Sequence, residues 1–93
     1  MTTPLRVLGT SWCSDCTRSK RFLDEHDVAY EWTDIEADES AAREVEAHNH
    51  GTRIVPTIFL PNGTILVEPS DAALAGALGI ALPVDSRQIR REA

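Results

Sequence analysis

Residues 5–16 read LRVLGTSWCSDC, and this stretch decides the fold. The segment Leu5–Gly9 alternates apolar and polar residues and then runs apolar into glycine, which predicts a short buried strand. After a turn, a helical pattern of apolar positions extends from Cys13 to about His26. The two cysteines of the chain, Cys13 and Cys16, therefore lie at the start of a helix that directly follows a strand.

The rest of the chain completes a small α/β domain of the order strand–helix–strand–helix–strand–strand–helix. A strand, a helix and a second strand in succession form a parallel pair with a right-handed crossover. The later hairpin adds two antiparallel strands, so we expect the order βαβαββα, with a mixed four-stranded sheet and helices on both faces. The further predicted elements are strand Val28–Trp32, helix Ala41–His48 capped by Asp38 or Ser40, strand Ile54–Leu60, strand Thr64–Val67 and helix Asp71–Leu78 capped by Ser70.

Composition and charge limit the classes of partner. The chain of 93 residues carries 9 Lys and Arg against 15 Asp and Glu, for a formal net charge of −6. Nonspecific binding to nucleic acid or to an anionic membrane requires a basic face, so neither partner is expected. No apolar run approaches the ~18 residues of a membrane span, and the N-terminus lacks the order of a signal peptide. We expect a cytoplasmic monomer with one domain, residues 1–80, and a C-terminal tail, residues 81–93.

The position of the Cys-X-X-Cys motif favours redox chemistry, although the same motif also serves zinc ribbons. A helix N-terminus offers unpaired N–H groups and about half a positive charge, which favours a thiolate over a thiol. Cys13 is thus the candidate nucleophile that attacks disulfides, and Cys16, shielded one turn inside the helix, is the candidate resolving thiol. Asp15 between them brings a like charge that opposes the thiolate, whereas Arg18 and a second candidate, Arg53, oppose Asp15, and the sign of the net effect on the Cys13 pKa stays open.

A proline marks the second part of the candidate site. Pro56 interrupts the most strand-like run of the chain, where a proline removes a ladder hydrogen bond. A cis Val55–Pro56 bond would explain its presence, since it turns the backbone so that Val55 presents free N–H and C=O groups beside the cysteines. The remaining candidate binding residues are Trp12 beside the sulfur, Arg53 as a clamp for an anionic or hydroxyl-rich ligand, and Ser70 and Asp71 at the N-terminus of the last helix.

The two motifs together resemble a known family. WCSDC at residues 12–16 and IVPT at residues 54–57 resemble the active site of a glutaredoxin, a thiol–disulfide oxidoreductase with the thioredoxin fold. The resemblance implies that the first cysteine is the nucleophile and the second its partner. It also implies that Val55 is the backbone docking strand for a thiol adduct and that Pro56 is the cis proline.

Three segments of the sequence resemble one group of glutaredoxin-like proteins more closely. TSWC at residues 10–13, RIVPT at residues 53–57 and EPSD at residues 68–71 are similar to the mycoredoxins. Mycoredoxins are glutaredoxin-like proteins of bacteria that use mycothiol instead of glutathione. The likeness extends over roughly residues 5–78.

The chain departs from the family patterns at three places. Many glutaredoxins carry a lysine where this chain has Thr10, and the Gly-Gly-x-Asp run that often binds the glutathione carboxylate is replaced by residues 68–71. Both changes weaken the case for glutathione. The insert Ser14-Asp15 also differs from the Gly-Tyr type usual in mycoredoxins, which bears on the redox potential and the substrate range.

The sequence predicts an enzyme that reduces mixed disulfides between proteins and a low-molecular-weight thiol. The co-substrate is mycothiol or else glutathione, with no tightly bound cofactor and no metal. Its partners are the small thiol, disulfide-containing proteins and a mycothiol- or thioredoxin-reductase system. Three alternatives remain open: a thioredoxin-like dithiol reductase fed by a flavin reductase, a metal or iron–sulfur module in which His48 and His50 join the cysteines, and a redox-inactive binding domain that uses the Val55 edge.

Overall fold

The computed structural model describes residues 4–81 and contains the seven predicted elements in the predicted order. Of the predicted tail, residues 81–93, only Ala81 lies within the described residues. No helix in this part of the chain is long and apolar enough to cross a bilayer. The elements are β1 (Leu5–Gly9), α1 (Ser14–Glu25), β2 (Tyr30–Asp34), α2 (Glu39–His48), β3 (Thr57–Phe59), β4 (Ile65–Val67) and α3 (Asp71–Leu78).

The four strands form one mixed sheet in the order β2-β1-β3-β4. Strand β1 pairs in parallel with β2, in a register that joins Leu5 to Tyr30 and Gly9 to Asp34. On its other side β1 pairs antiparallel with β3, which in turn pairs antiparallel with β4. The predicted fold class is therefore confirmed.

The helices cover both faces of the sheet, because side chains along β1 alternate between them. Val7 packs in a buried cluster with Leu23 of α1 and Leu74 of α3. Leu8 points to the opposite face and packs in a second cluster with Val45 of α2. The starts of α1 and α3 and the connection after α2 lie at one end of the sheet, because β1 and β4 end there and β3 begins there.

The middle strands differ from prediction at their boundaries. Strand β2 begins at Tyr30 rather than Val28, because the Val28 N–H donates to the Leu23 carbonyl at 2.9 Å and caps the C-terminal end of α1. Strand β3 was expected over residues 54–60 and is confined to Thr57–Phe59. Pro56 has no N–H to contribute to a ladder, so regular pairing begins only after it.

A close approach at Gly9 sets the distance between β1 and the start of α1. A Cβ atom at Gly9 would overlap the Cys16 sulfur and lie 3.1 Å from the Trp32 ring. The missing side chain therefore provides the space that the buried Cys16 occupies.

We predict that Gly9→Ala destabilises the fold by about 1–3 kcal/mol, the usual range for overpacking a core. The measurement is the urea unfolding midpoint under reducing conditions. Gly76→Ala is the matched control, since a Cβ there meets open space on α3. The control should be neutral or stabilising by up to ~1 kcal/mol, as for a helical glycine. Equal midpoints for the two variants would contradict the packing argument.

Candidate active site

Cys13 occupies the N-cap position of α1, and its sulfur closes the first turn. The Cys16 amide donates to the Cys13 Sγ at 3.3 Å. The Cys13 side chain is half-buried and its thiol is free. A backbone N–H at the positive end of the helix dipole thus points at the sulfur, where it stabilises negative charge.

Cys16 lies one turn further along α1 and is fully buried. Its burial, together with a hydrogen bond to the Cys13 side chain, raises the pKa of the Cys16 thiol to about 12. Cys16 is consequently a neutral thiol near pH 7, with no access to a disulfide in solvent. Of the two sulfurs, only that of Cys13 can be reached from solvent.

The loop before β3 faces the Cys13 sulfur. The Val55–Pro56 peptide bond is cis, as the sequence predicts. The Cys13 thiol donates to the Val55 carbonyl at 3.8 Å, and the Pro56 carbonyl is held by the Glu68 N–H at 2.8 Å. Among residues 4–81, the Val55 N–H has no hydrogen-bond acceptor. An extended ligand on Cys13 can therefore pair with the Val55 backbone.

Trp12 and Arg53 flank this loop, and both are held by carboxylates. The Trp12 side chain is 70% exposed, and its indole N–H donates to Glu36 at 3.1 Å. Arg53 donates to Glu46 at 2.6 Å and lies 3.8 Å from Glu39. The predicted cationic clamp is thus paired with Glu46 and Glu39, and these two glutamates together with Glu36 form a group that we term the acidic rim.

Ser70 and Asp71 stand at the start of α3, where they already have structural partners. The Ser70 hydroxyl accepts from the Ala73 N–H at 3.0 Å and caps the helix. Asp71 accepts from Arg18 of α1 at 2.7 Å. The same guanidinium also donates to the Pro69 carbonyl at 3.1 Å and lies 3.5 Å from Asp15. Arg18 therefore ties α1 to the start of α3.

Sequence reasoning did not find the glutamates of the acidic rim or the link from Arg18 to Asp71. The residues of these pairs are 7 to 53 positions apart in the chain, so no local sequence pattern predicts them.

The histidines of the proposed metal module do not join the cysteines. Among the described residues, no three side chains of metal-binding type are grouped to hold an ion, and His48 packs edge-on against Phe59 at 5.3 Å.

The raised pKa of Cys16 predicts a specific loss of stability in alkali. An unfolded cysteine has a pKa near ~8.5, so the protonated thiol favours the folded state fully below that pH. This contribution disappears as the pH rises from there toward the folded pKa of about 12. We expect the free energy of unfolding of the wild type to fall more steeply above pH ~8.5 than that of Cys16→Ala.

The measurement is urea unfolding in reductant at a series of pH values. Cys13→Ala is the matched control and should retain the steep loss, since burial is the first cause of the shift at Cys16. Parallel curves for the wild type and Cys16→Ala would show that the buried thiol does not carry the effect.

Comparison with known proteins agrees with this geometry. A family model described as glutaredoxin matches residues 5–65. A Mycobacterium tuberculosis protein named as a glutaredoxin is 40% identical over 70 residues, which cover 75% of this chain and 83% of the relative. Mycoredoxin 1 of Corynebacterium glutamicum is 35% identical over 63 residues, or 68% of this chain and 77% of the relative.

Solved structures give the same fold. The crystal structure of the thioredoxin-like protein BC3987 superposes with a TM-score of 0.64 at 26% identity, covering 77% of this chain and 96% of that one. Glutaredoxin from Archaeoglobus fulgidus superposes with a TM-score of 0.66 at 21% identity, covering 84% and 87%. The chain belongs to the glutaredoxin family and is a thiol–disulfide oxidoreductase of the thioredoxin fold.

Proposed function

We propose that the protein reduces mixed disulfides between proteins and a low-molecular-weight thiol, with mycothiol as the thiol and Cys13 as the nucleophile. The observation that carries this proposal is the position of the Cys13 sulfur. It lies between the Cys16 N–H at 3.3 Å and the Val55 carbonyl at 3.8 Å. A disulfide formed there places the attached thiol alongside the Val55 backbone.

The first half-reaction transfers the small thiol to the enzyme. The Cys13 thiolate attacks the sulfur that belongs to the small thiol, and a new S–S bond forms as the old one breaks. The target protein leaves as its thiolate with the electron pair and takes up a proton from solvent. The Cys16 N–H that faces the Cys13 sulfur in the resting enzyme then faces a neutral disulfide sulfur.

The second half-reaction restores Cys13, and burial of Cys16 favours one of two routes. In the first, the thiolate of a second small thiol attacks the bound one, which releases the Cys13 thiolate and a symmetrical small-molecule disulfide. In the second, Cys16 gives up its proton and attacks the Cys13 sulfur, which expels the small thiol as its thiolate and forms a Cys13–Cys16 disulfide that a reductase opens with two electrons. A buried thiol with a pKa of about 12 is a poor nucleophile at neutral pH, which supports the first route.

The charges around the site support mycothiol over glutathione. Glutathione carries two carboxylates, whereas mycothiol is an uncharged thiol of a pseudodisaccharide. Arg53 is engaged by the acidic rim, and Arg18 is engaged by Asp71. A second carboxylate brought to either guanidinium would have to compete with the one already bound. A hydroxyl-rich ligand brings no such charge.

The two cysteines should differ sharply in importance. We predict that Cys13→Ser reduces turnover of a mycothiolated model disulfide to background, because the other cysteine of the chain, Cys16, is fully buried. Cys16→Ser should retain most of the activity when free mycothiol is supplied. Activity is followed by release of the model thiol.

Full activity in Cys13→Ser would contradict the proposal outright. Loss of activity in Cys16→Ser would instead identify the dithiol route, in which a flavin reductase or a mycothiol reductase regenerates the enzyme. Mass spectrometry of the inactive and active variants after incubation with oxidised mycothiol locates the adduct on one cysteine or the other.

The acidic rim generates a separate prediction about thiol preference. Glu46→Gln removes the closest partner of Arg53 and leaves that guanidinium available to a ligand carboxylate. We expect kcat/KM with glutathionylated disulfide to rise about two- to fivefold, the worth of one exposed ion pair, and kcat/KM with mycothiolated disulfide to stay unchanged.

Glu25→Gln is the control for net charge, since Glu25 is exposed at the far end of α1. It should leave both substrates unaffected. An equal rise for both substrates in Glu46→Gln would show that the acidic rim does not discriminate between them.

A further inference from the structure

A chain of buried hydrogen bonds lies behind the Val55–Pro56 loop. Asn49, the C-cap of α2, is only 7% exposed, and its Nδ2 donates to the Val45 carbonyl at 2.8 Å and to the Thr57 Oγ1 at 3.3 Å. The Thr57 hydroxyl, fully buried at the start of β3, donates in turn to the Ile54 carbonyl at 2.7 Å. These hydrogen bonds thus connect the C-terminal end of α2 to the Ile54–Val55 peptide group.

Each donor in this chain has a defined direction. The Val45 and Ile54 carbonyls only accept, so the amide of Asn49 must present its NH₂ group, and the single hydroxyl proton of Thr57 must go to Ile54. The Asn49 donor occupies a lone pair of the Thr57 oxygen and restrains rotation of the hydroxyl. Asn49 therefore orients the Thr57 hydroxyl, and Thr57 orients the Ile54 carbonyl.

The orientation of the Ile54 carbonyl determines where the Val55 N–H points. The carbonyl of Ile54 and the N–H of Val55 belong to one planar peptide group, in which the two bonds point in opposite directions when the peptide is trans. The only cis bond among the described residues is the next one, Val55–Pro56. With its carbonyl held by the buried Thr57, this peptide directs the Val55 N–H away from the Thr57 side.

We propose that Asn49 and Thr57 are positioning residues for the thiol adduct, which set the direction of the Val55 N–H without touching substrate. This inference rests on the proposed function, in which the cysteinyl backbone of a small thiol pairs with Val55. The Val55 N–H has no acceptor among residues 4–81, so the carbonyl of the ligand is the group it is aligned to meet. Asn49 and Thr57 therefore act on binding and leave the reactivity of the Cys13 sulfur unchanged.

The test compares Thr57→Val with Thr57→Ser. Valine has nearly the shape of threonine and no hydroxyl, whereas serine keeps the hydroxyl. We expect Thr57→Val to raise KM for a mycothiolated model disulfide about three- to tenfold with little change in kcat. This rise corresponds to the loss of one hydrogen bond between the ligand and the misaligned Val55 N–H. Thr57→Ser should restore KM to near the wild-type value. The rate of Cys13 alkylation by iodoacetamide, which needs no docking, should be the same in all three proteins.

Each other outcome overturns the inference. A wild-type KM in Thr57→Val, a raised KM in Thr57→Ser that equals that of the valine variant, or a slowed alkylation of Cys13 would each show that the hydroxyl does not act by aligning Val55. If Thr57→Val fails to fold, Asn49→Ala gives the second measurement, with a smaller rise in KM expected and an unchanged KM as the contradiction. A wild type that turns over no small-thiol mixed disulfide would instead refute the proposed function.

Discussion

The hydrogen bond from the Cys16 amide to the Cys13 sulfur is the contact on which the rest of the site depends. It exists because α1 begins immediately after β1, so the positive end of the helix dipole is fixed at the end of the sheet. Gly9 permits this approach, since any side chain there would occupy the space of the Cys16 sulfur. The two cysteines have different environments, because the Cys13 sulfur faces the Val55 loop and the Cys16 sulfur is buried in the core.

The site draws on both faces of the sheet. Arg18 joins α1 to the start of α3 on one face through Asp71. On the other face, α2 and the residues just before and after it supply the acidic rim and Asn49, which hold the loop before β3 from its exposed and its buried side. The reacting sulfur and the backbone that faces it are thus fixed by independent sets of contacts. A change in ligand charge preference at the acidic rim need not disturb the geometry at Cys13.

The parts of the structure that follow from local sequence signals were predictable. The bounds of β1 and α3, the Ser70 cap and the cysteines at the start of α1 each follow from a few adjacent residues. The boundaries of β2 and β3 were not predictable, since they depend on a hydrogen bond that caps the end of α1 and on how far a proline displaces regular pairing. The pairing of Arg53 with Glu46 was also not predictable, because the sequence gives the sign of a charge but does not identify its partner. The same holds for Asn49, whose role depends on contact with a residue eight positions away.

The most direct test of the account is a crystal structure of the Cys16→Ser variant carrying mycothiol in a disulfide with Cys13. The account predicts that the cysteinyl amide groups of the adduct pair with the N–H and C=O of Val55, with the Ile54 carbonyl still held by the Thr57 hydroxyl. An adduct that extends away from this loop, with its cysteinyl backbone in solvent, would contradict it.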